Sequence, residues 1–289
     1  MKAMPVTLPK PAERPSPPAG INTIDLSPTI GTEVIGIDLR PSLTPELKDY
    51  LSRLWLARKV LFFRDQDITP AQHLAFARHW GELEITRGGE HHPEHPEVFC
   101  LRRDANTPSV ENIWHSDGTW RATPDKGSIL RARLTPRVGG DTLFCDAHAA
   151  YEDLPEWLKD AIGSLSAVHS YRVSRSPDEA IERLTKFELS APPQNHPIVR
   201  THPETGEKVL FVNPSYTSHI DGLSPDDSRF LLGRLYDQIQ RPEFQCRFRW
   251  RVNSMAFWDN RACLHYAAAD YGTEERMVER VTLVGDAPF

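Results

Sequence analysis

The spacing of apolar positions changes repeatedly along the chain. Ile21-Asn-Thr-Ile-Asp-Leu26 and Glu33-Val-Ile-Gly-Ile-Asp-Leu39 alternate apolar and polar residues, the two-residue period of a half-buried strand. Thr44-Pro45 then supplies an N-cap and a proline at the first helical position. Leu47, Leu51, Leu54 and Trp55 follow at helical spacing on one face. Val60-Leu-Phe-Phe63 is apolar throughout and predicts a strand buried on both faces. Thr69-Pro-Ala-Gln72 has the form of a capping box, and Leu74, Ala77 and Trp80 continue its helix. From about residue 95 to 150, short strand candidates are punctuated by Pro124-Asp-Lys-Gly127 and Gly139-Gly-Asp141. Residues 153–163 predict a helix, and Ser224-Pro225 opens another that carries Leu231, Leu232 and Leu235. Strand patterns return at Phe244–Val252, Met255–Trp258 and Arg280–Val284.

Strands at both ends of the chain, with helices before and between them, predict a mixed α/β, mainly β fold. No internal repeat is present. The first twenty residues hold six prolines and predict an extended or disordered arm, 1–20, ahead of a single domain over 21–289. The stretch 172–195 is polar and charged without clear turns, and is the candidate lid.

A net charge of −6 argues against a nucleic-acid partner, yet leaves room for a local basic pocket. Cys100, Cys145, Cys246 and Cys263 form no CxxC pair, which speaks against a zinc ribbon or a disulfide scaffold. With no apolar signal core at the start and no run long enough to span a membrane, the expected place is the cytoplasm.

The most informative tetrapeptide is Trp114-His-Ser-Asp117. In a strand, residues i and i+2 point to one face, so His115 and Asp117 can aim an imidazole and a carboxylate at one point. His265, in Leu264-His-Tyr266, is the best third ligand. Two histidines and one carboxylate on one face of a metal leave further positions open, the arrangement of non-haem iron(II) oxygenases. Among the other histidines, His91, His92 and His95 read as a polar loop, His73 and His79 lie on different faces of a helix, and His196 and His202 flank a strand-like segment. Beyond His265, Arg276 and Arg280 would share one strand face with Val278. Either they form a buried anion site, since a guanidinium grips a carboxylate bidentately, or they pair on the surface with Glu274, Glu275 or Glu279.

The chain resembles the taurine dioxygenase family, which includes the herbicide-degrading phenoxyacetate dioxygenases. The likeness runs from Thr23 to Pro288. Its anchors are Val60-Leu-Phe-Phe-Arg-Asp-Gln66, Trp114-His-Ser-Asp117, Gly139-Gly-Asp-Thr-Leu-Phe144, Thr201-His-Pro-Glu-Thr-Gly206 with Leu210-Phe-Val-Asn213, and Phe257-Trp-Asp-Asn-Arg261 followed by His265-Tyr-Ala267. The resemblance implies a distorted double-stranded β-helix, or jelly roll, with flanking helices. It implies His115, Asp117 and His265 as iron ligands, with Arg276 completing the catalytic set. Thr142 and Arg276 would hold the distal carboxylate of 2-oxoglutarate, and Arg280 the anionic group of the substrate. The implied cofactors are Fe(II), 2-oxoglutarate as co-substrate and O2. The implied reaction is oxidation, by hydroxylation, of a small anionic organic molecule, with release of succinate and CO2.

The sequence departs from the taurine enzymes around the substrate. Gly81-Glu-Leu83 is followed by Glu84-Ile-Thr-Arg-Gly-Gly-Glu90, which lacks the histidine and tyrosine that those enzymes place there. Glu111 stands where they carry an amide; a carboxylate there repels a sulfonate unless paired, or recognises an amine. Trp114, Trp120 and Phe211 line an apolar pocket or simply pack the core. Two other readings share the residues: desaturation or epoxidation in natural-product biosynthesis, and a zinc hydrolase with the same triad. The expected partner is a small molecule, with no membrane and no nucleic acid, in a homo-oligomer of two or four chains.

Overall fold

A computed structural model describes residues 6–10, 12–107, 109, 111–171 and 191–289. The expected lid therefore lies outside the described residues, except for its last positions, of which Gln194 and Asn195 open a strand.

The largest sheet uses β1 (Asn22–Asp25), β2 (Thr32–Ile35), β3 (Val60–Phe63), β4 (Leu83–Glu84), β5 (Glu90–His92), β6 (His95–Arg103) and β7 (Gly127–Leu134). A second sheet is centred on β8 (Thr142–Asp146). Beyond it come β9 (Ser166–His169), β10 (Gln194–Pro197), β11 (Val199–Thr201), β12 (Lys208–Leu210) and β13 (Thr217–Ile220). The last four are β14 (Gln245–Phe248), β15 (Met255–Asp259), β16 (Cys263–Ala267) and β17 (Arg276–Leu283). The large sheet runs β1-β2-β3-β15-β7-β17-β6-β5, with β4 on β17; the second runs β14-β8-β16. Only the β2–β3 pairing is parallel among the described strands.

The two sheets face one another across an apolar core, and the side-chain period of two explains how. In β3, Val60 and Phe62 point into the jelly-roll interior, with Phe62 stacked on Phe248 at 4.0 Å. Leu61 and Phe63 point the other way, under the helix α1 (Pro45–Arg58) and the helix α2 (Pro70–Arg78). β15 does the same: Ala256 and Trp258 face inward, Met255 and Phe257 outward. A strand covered on both faces needs no polar side, which is why Val60–Phe63 is apolar throughout. Thr44 and Thr69 cap α1 and α2 as expected, Thr69 with the reciprocal Gln72 bond. A third apolar cluster packs behind the second sheet against α3 (Ala147–Glu152), α4 (Glu156–Ile162) and α5 (Pro225–Ile239).

Several expectations need correction. The helix expected at 153–163 is α4, Glu156–Ile162, and a further helix that was not expected, α3, capped by Asp146, precedes it. Pro155 lies between the two helices as the N-cap of α4, where its missing N–H prevents α3 from running on into it. The strand expected over Glu33–Leu39 is Thr32–Ile35, and stops before Gly36, which has φ +84°. His91, His92 and His95 are not a loop; they sit in the β5–β6 hairpin, where His91 Nδ1 bonds the Pro96 carbonyl. Of the proline-rich arm, Val6 packs against the third cluster, the Thr7 N–H donates to Asp153 Oδ1 at 2.6 Å, and Arg14 pairs with Asp25.

Candidate active site

His115 is not in a strand. It makes a single two-way bridge with His265 in β16: each backbone N–H donates to the other's carbonyl, at 3.0 and 2.7 Å. Asp117 opens the turn that follows, so the two side chains converge by a bridge and a turn and not by the i, i+2 period of a strand. The bridge brings the two imidazole rings to 4.1 Å between centroids. The turn that presents Asp117 needs Gly118 at φ +67°, and a Cβ there would sit 3.0 Å from Asp125 Oδ1.

His115 Nε2 lies 3.9 Å from Asp117 Oδ1, and His265 Nε2 lies 3.8 Å from Asp117 Oδ2. One donor atom from each residue lies within 4.8 Å of the others, the only such metal-competent group among the described residues. Donors sharing one ion at about 2.1 Å lie roughly 3 Å apart, so small rotamer changes complete the set. His115 Nδ1 contacts the Ile113 carbonyl at 2.7 Å. An acceptor there puts the proton on Nδ1 and leaves the Nε2 lone pair free for a metal. Burial first, then His115, lowers His265 to about 3, so its ring is neutral in the ordinary pH range. Burial alone would raise Asp117, but Arg280, His265 and His115 outweigh it and hold the carboxylate at about 2. Asp117 and His265 thus already have the protonation states that a metal requires.

The residues that fix Asp117 carry less obvious signals. Asn260 receives the Asp117 N–H at 2.7 Å and donates to the carbonyls of Asp117 and Asp125. Ser128 Oγ donates to Asp117 Oδ2, and Arg280 Nη1 to Oδ1 at 3.2 Å. Asn260 is itself held between Asp259 and Arg261, which pair bidentately. His202 joins Asp259 and Glu204 joins Arg261. Two of the long motifs are therefore a buried brace beneath the Asp117 turn. The only sequence signal for Asn260 was its place within one of them.

The arginine question is decided by β17. Val278 faces the jelly-roll interior, and Arg276 and Arg280 share its face. None of the three nearby acids takes them: Glu274 accepts from the Arg137 N–H, Glu275 pairs with Arg102, and Glu279 lies near Arg131 and Arg133. Arg276 is buried and makes no hydrogen bond or ion pair with any described residue. Tyr271, which shares its surroundings, has a buried hydroxyl that is also without a partner. Thr142 Oγ1 accepts the Trp250 indole N–H at 2.9 Å, which turns its own hydrogen away and leaves it free to donate. An unpaired buried guanidinium is costly, and a carboxylate ligand would relieve it.

Of the remaining candidates, Glu111 is held by Arg103 through two hydrogen bonds. Trp120 packs edge-on to Tyr171, whose ring stacks on Tyr216, which in turn meets His115 edge-on. Tyr216 was missed by sequence reasoning, since no spacing rule links it to the metal ligands. Phe211 lies against His169, His196 and Arg200 instead, and has no ring contact with the triad.

The family described as taurine catabolism dioxygenase TauD, TfdA family matches residues 22–282. An alkylsulfatase of Acinetobacter baylyi is 36% identical over 272 residues, covering 90% of this chain and 84% of its own. An alpha-ketoglutarate-dependent sulfate ester dioxygenase of Pseudomonas putida is also 36% identical, covering 90% and 88%. The crystal structure of a taurine dioxygenase from Burkholderia xenovorans superposes with a TM-score of 0.81 at 37% identity, over 93% of this chain and 92% of that one. With nearly its whole length matched, its sheets in the same arrangement and its metal-competent triad intact, the chain belongs to the TauD/TfdA family of dioxygenases.

Proposed function

We propose that this protein is an Fe(II)- and 2-oxoglutarate-dependent dioxygenase that oxidises a small anionic organic molecule, with release of succinate and CO2. The observation that carries the reading is the buried His115/Asp117/His265 group beside an unpaired Arg276. A zinc hydrolase has no need for the second half of that arrangement.

His115, Asp117 and His265 would hold the metal, which supplies O2 activation when bound. Three protein ligands leave room for the keto-acid end of 2-oxoglutarate. Arg276 and Thr142 would take its distal carboxylate: the guanidinium supplies charge and the free hydroxyl hydrogen supplies direction. Arg280 bonds Asp117 through Nη1, while its Nε is buried without a partner. That group would orient the anionic head of the substrate toward the metal side of the pocket. Tyr216 and the rings behind it would form an apolar wall that limits water. One relative acts by name on sulfate esters, another on sulfonates and a third on a phenoxypropionate, which supports sulfate esters, sulfonates or aryloxyalkanoates as the first acids to try.

No helix among the described residues is long and apolar enough to cross a membrane. The four cysteines are buried and free, which supports a cytoplasmic setting. A homo-oligomer is the assembly we expect.

The test is succinate formation from 2-oxoglutarate and Fe(II) in air, first alone and then with a panel of small sulfates, sulfonates and aryloxyalkanoates. Slow turnover without substrate, accelerated by one or more acids, is the expected result. Absence of any succinate with reconstituted iron would sink the proposal, and metal-dependent hydrolysis of the same esters without O2 would replace it with the hydrolase.

A further inference from the structure

Glu111 precedes His115 by four residues, and its position is set by β16: its carbonyl accepts the Ala267 N–H at 3.2 Å. Ala267 lies opposite Thr142 in the second sheet. On the other side, Arg103 lies opposite Arg276 across the β6–β17 ladder. The Glu111 carboxylate is therefore placed among the groups that would bind anions. Its charge does not face them alone. Arg103 Nε donates to Oε2 at 3.3 Å, Arg103 Nη2 makes a short bond to Oε1, and Ser109 Oγ adds a third at 2.9 Å. A guanidinium that grips both carboxylate oxygens fixes the side chain and offsets part of a charge that also reaches Arg276 and Arg280.

We propose that Arg103 is a specificity-determining residue of this site: by holding Glu111 it keeps a negative charge out of the anion pocket, so that the pocket selects substrates whose only charge is one anionic head group. Without Arg103, the same carboxylate would oppose the anion and attract an ammonium group instead. This inference rests on the reading of the site as holding 2-oxoglutarate beside an anionic substrate. Arg103 touches neither; it acts through Glu111 and is a positioning residue.

The test compares ligands that differ only in a terminal ammonium: butane-1-sulfonate with 4-aminobutane-1-sulfonate, and hexanoate with 6-aminohexanoate. Binding is measured by anaerobic titration calorimetry on the full chain loaded with Mn(II) and 2-oxoglutarate. The wild type should bind at least one plain anion more tightly than its amino partner. Arg103→Gln should weaken the plain anion by about tenfold or more and strengthen the amino partner, reversing the order. The double variant Arg103→Gln/Glu111→Gln should restore the wild-type order, which a merely structural brace would not. The proposal is overturned if the wild type shows no preference, or binds none of the four, while 2-oxoglutarate is bound. It is equally overturned if Arg103→Gln weakens both members of a pair alike, or if the double variant fails to restore the order. Failure of 2-oxoglutarate itself to bind the Mn(II)-loaded wild type would instead remove the dioxygenase reading.

Discussion

His115, Asp117 and His265 meet because two backbone hydrogen bonds tie the segment at 115 to β16, and because Asn260 grips both sides of the Asp117 peptide. Replacing His115 with Ala should lower metal affinity by well over 100-fold, read by titration of the apoprotein with Mn(II); retained affinity would remove it from the ligand set. Asn260→Ala leaves every ligand in place yet frees the turn, and a loss of 10–100-fold is expected. Arg276→Ala should raise the 2-oxoglutarate concentration needed for half-maximal turnover by about 2–5 kcal/mol in free energy, since it truncates one side of a buried charge pair. An unchanged requirement would mean that the co-substrate anion lies elsewhere.

At the scale of elements, the strands of the large sheet are two-faced, and each face has its own partner layer. Phe62 shows the inner one: it is fully buried, stacked on Phe248 and edge-on to Phe144. Phe62→Ala should cost about 3–5 kcal/mol, because sheets pinned on both sides cannot close the cavity. A loss of unfolding free energy in urea of less than a third of that would show the core to be more plastic than its packing indicates. The same two-faced strands explain which motifs could be read in advance. Val60–Phe63 was legible because a strand buried on both faces is apolar at every position. The His115 segment was not, because a single β-bridge has no period.

For the whole molecule, the fold keeps several histidines neutral. Burial lowers His73, His169 and His265 to about 3. A folded value below the unfolded one, near 6.5, means that the unfolded chain binds the proton first. Their stabilisation is thus complete above about pH 6.5 and is lost as pH falls from there toward 3. Each lowers stability by roughly 1.4 kcal/mol per pH unit across that window. The metal-free protein should therefore unfold in mild acid. His73 donates to the Ile129 carbonyl from Nε2 and lies in α2, away from the triad, so His73→Gln isolates the effect. Urea midpoints measured between pH 7 and 4 should fall less steeply in that variant. Identical slopes would show that His73 is not held neutral.

The sequence by itself indicated the capped helices, the two-faced strands and the three candidate metal ligands. Those features depend on local propensity, on periodic burial, or on motifs long enough to be specific. Only the tertiary structure decided that Arg276 is left unpaired while Arg280 meets Asp117, that Arg103 claims Glu111, and that Asn260 holds the Asp117 turn. Each of these is a contact between residues brought together by strand pairing across the fold. Hydrogen bonds and charge pairs act over a few ångströms of space, whatever the distance along the chain, so no one-dimensional pattern records them.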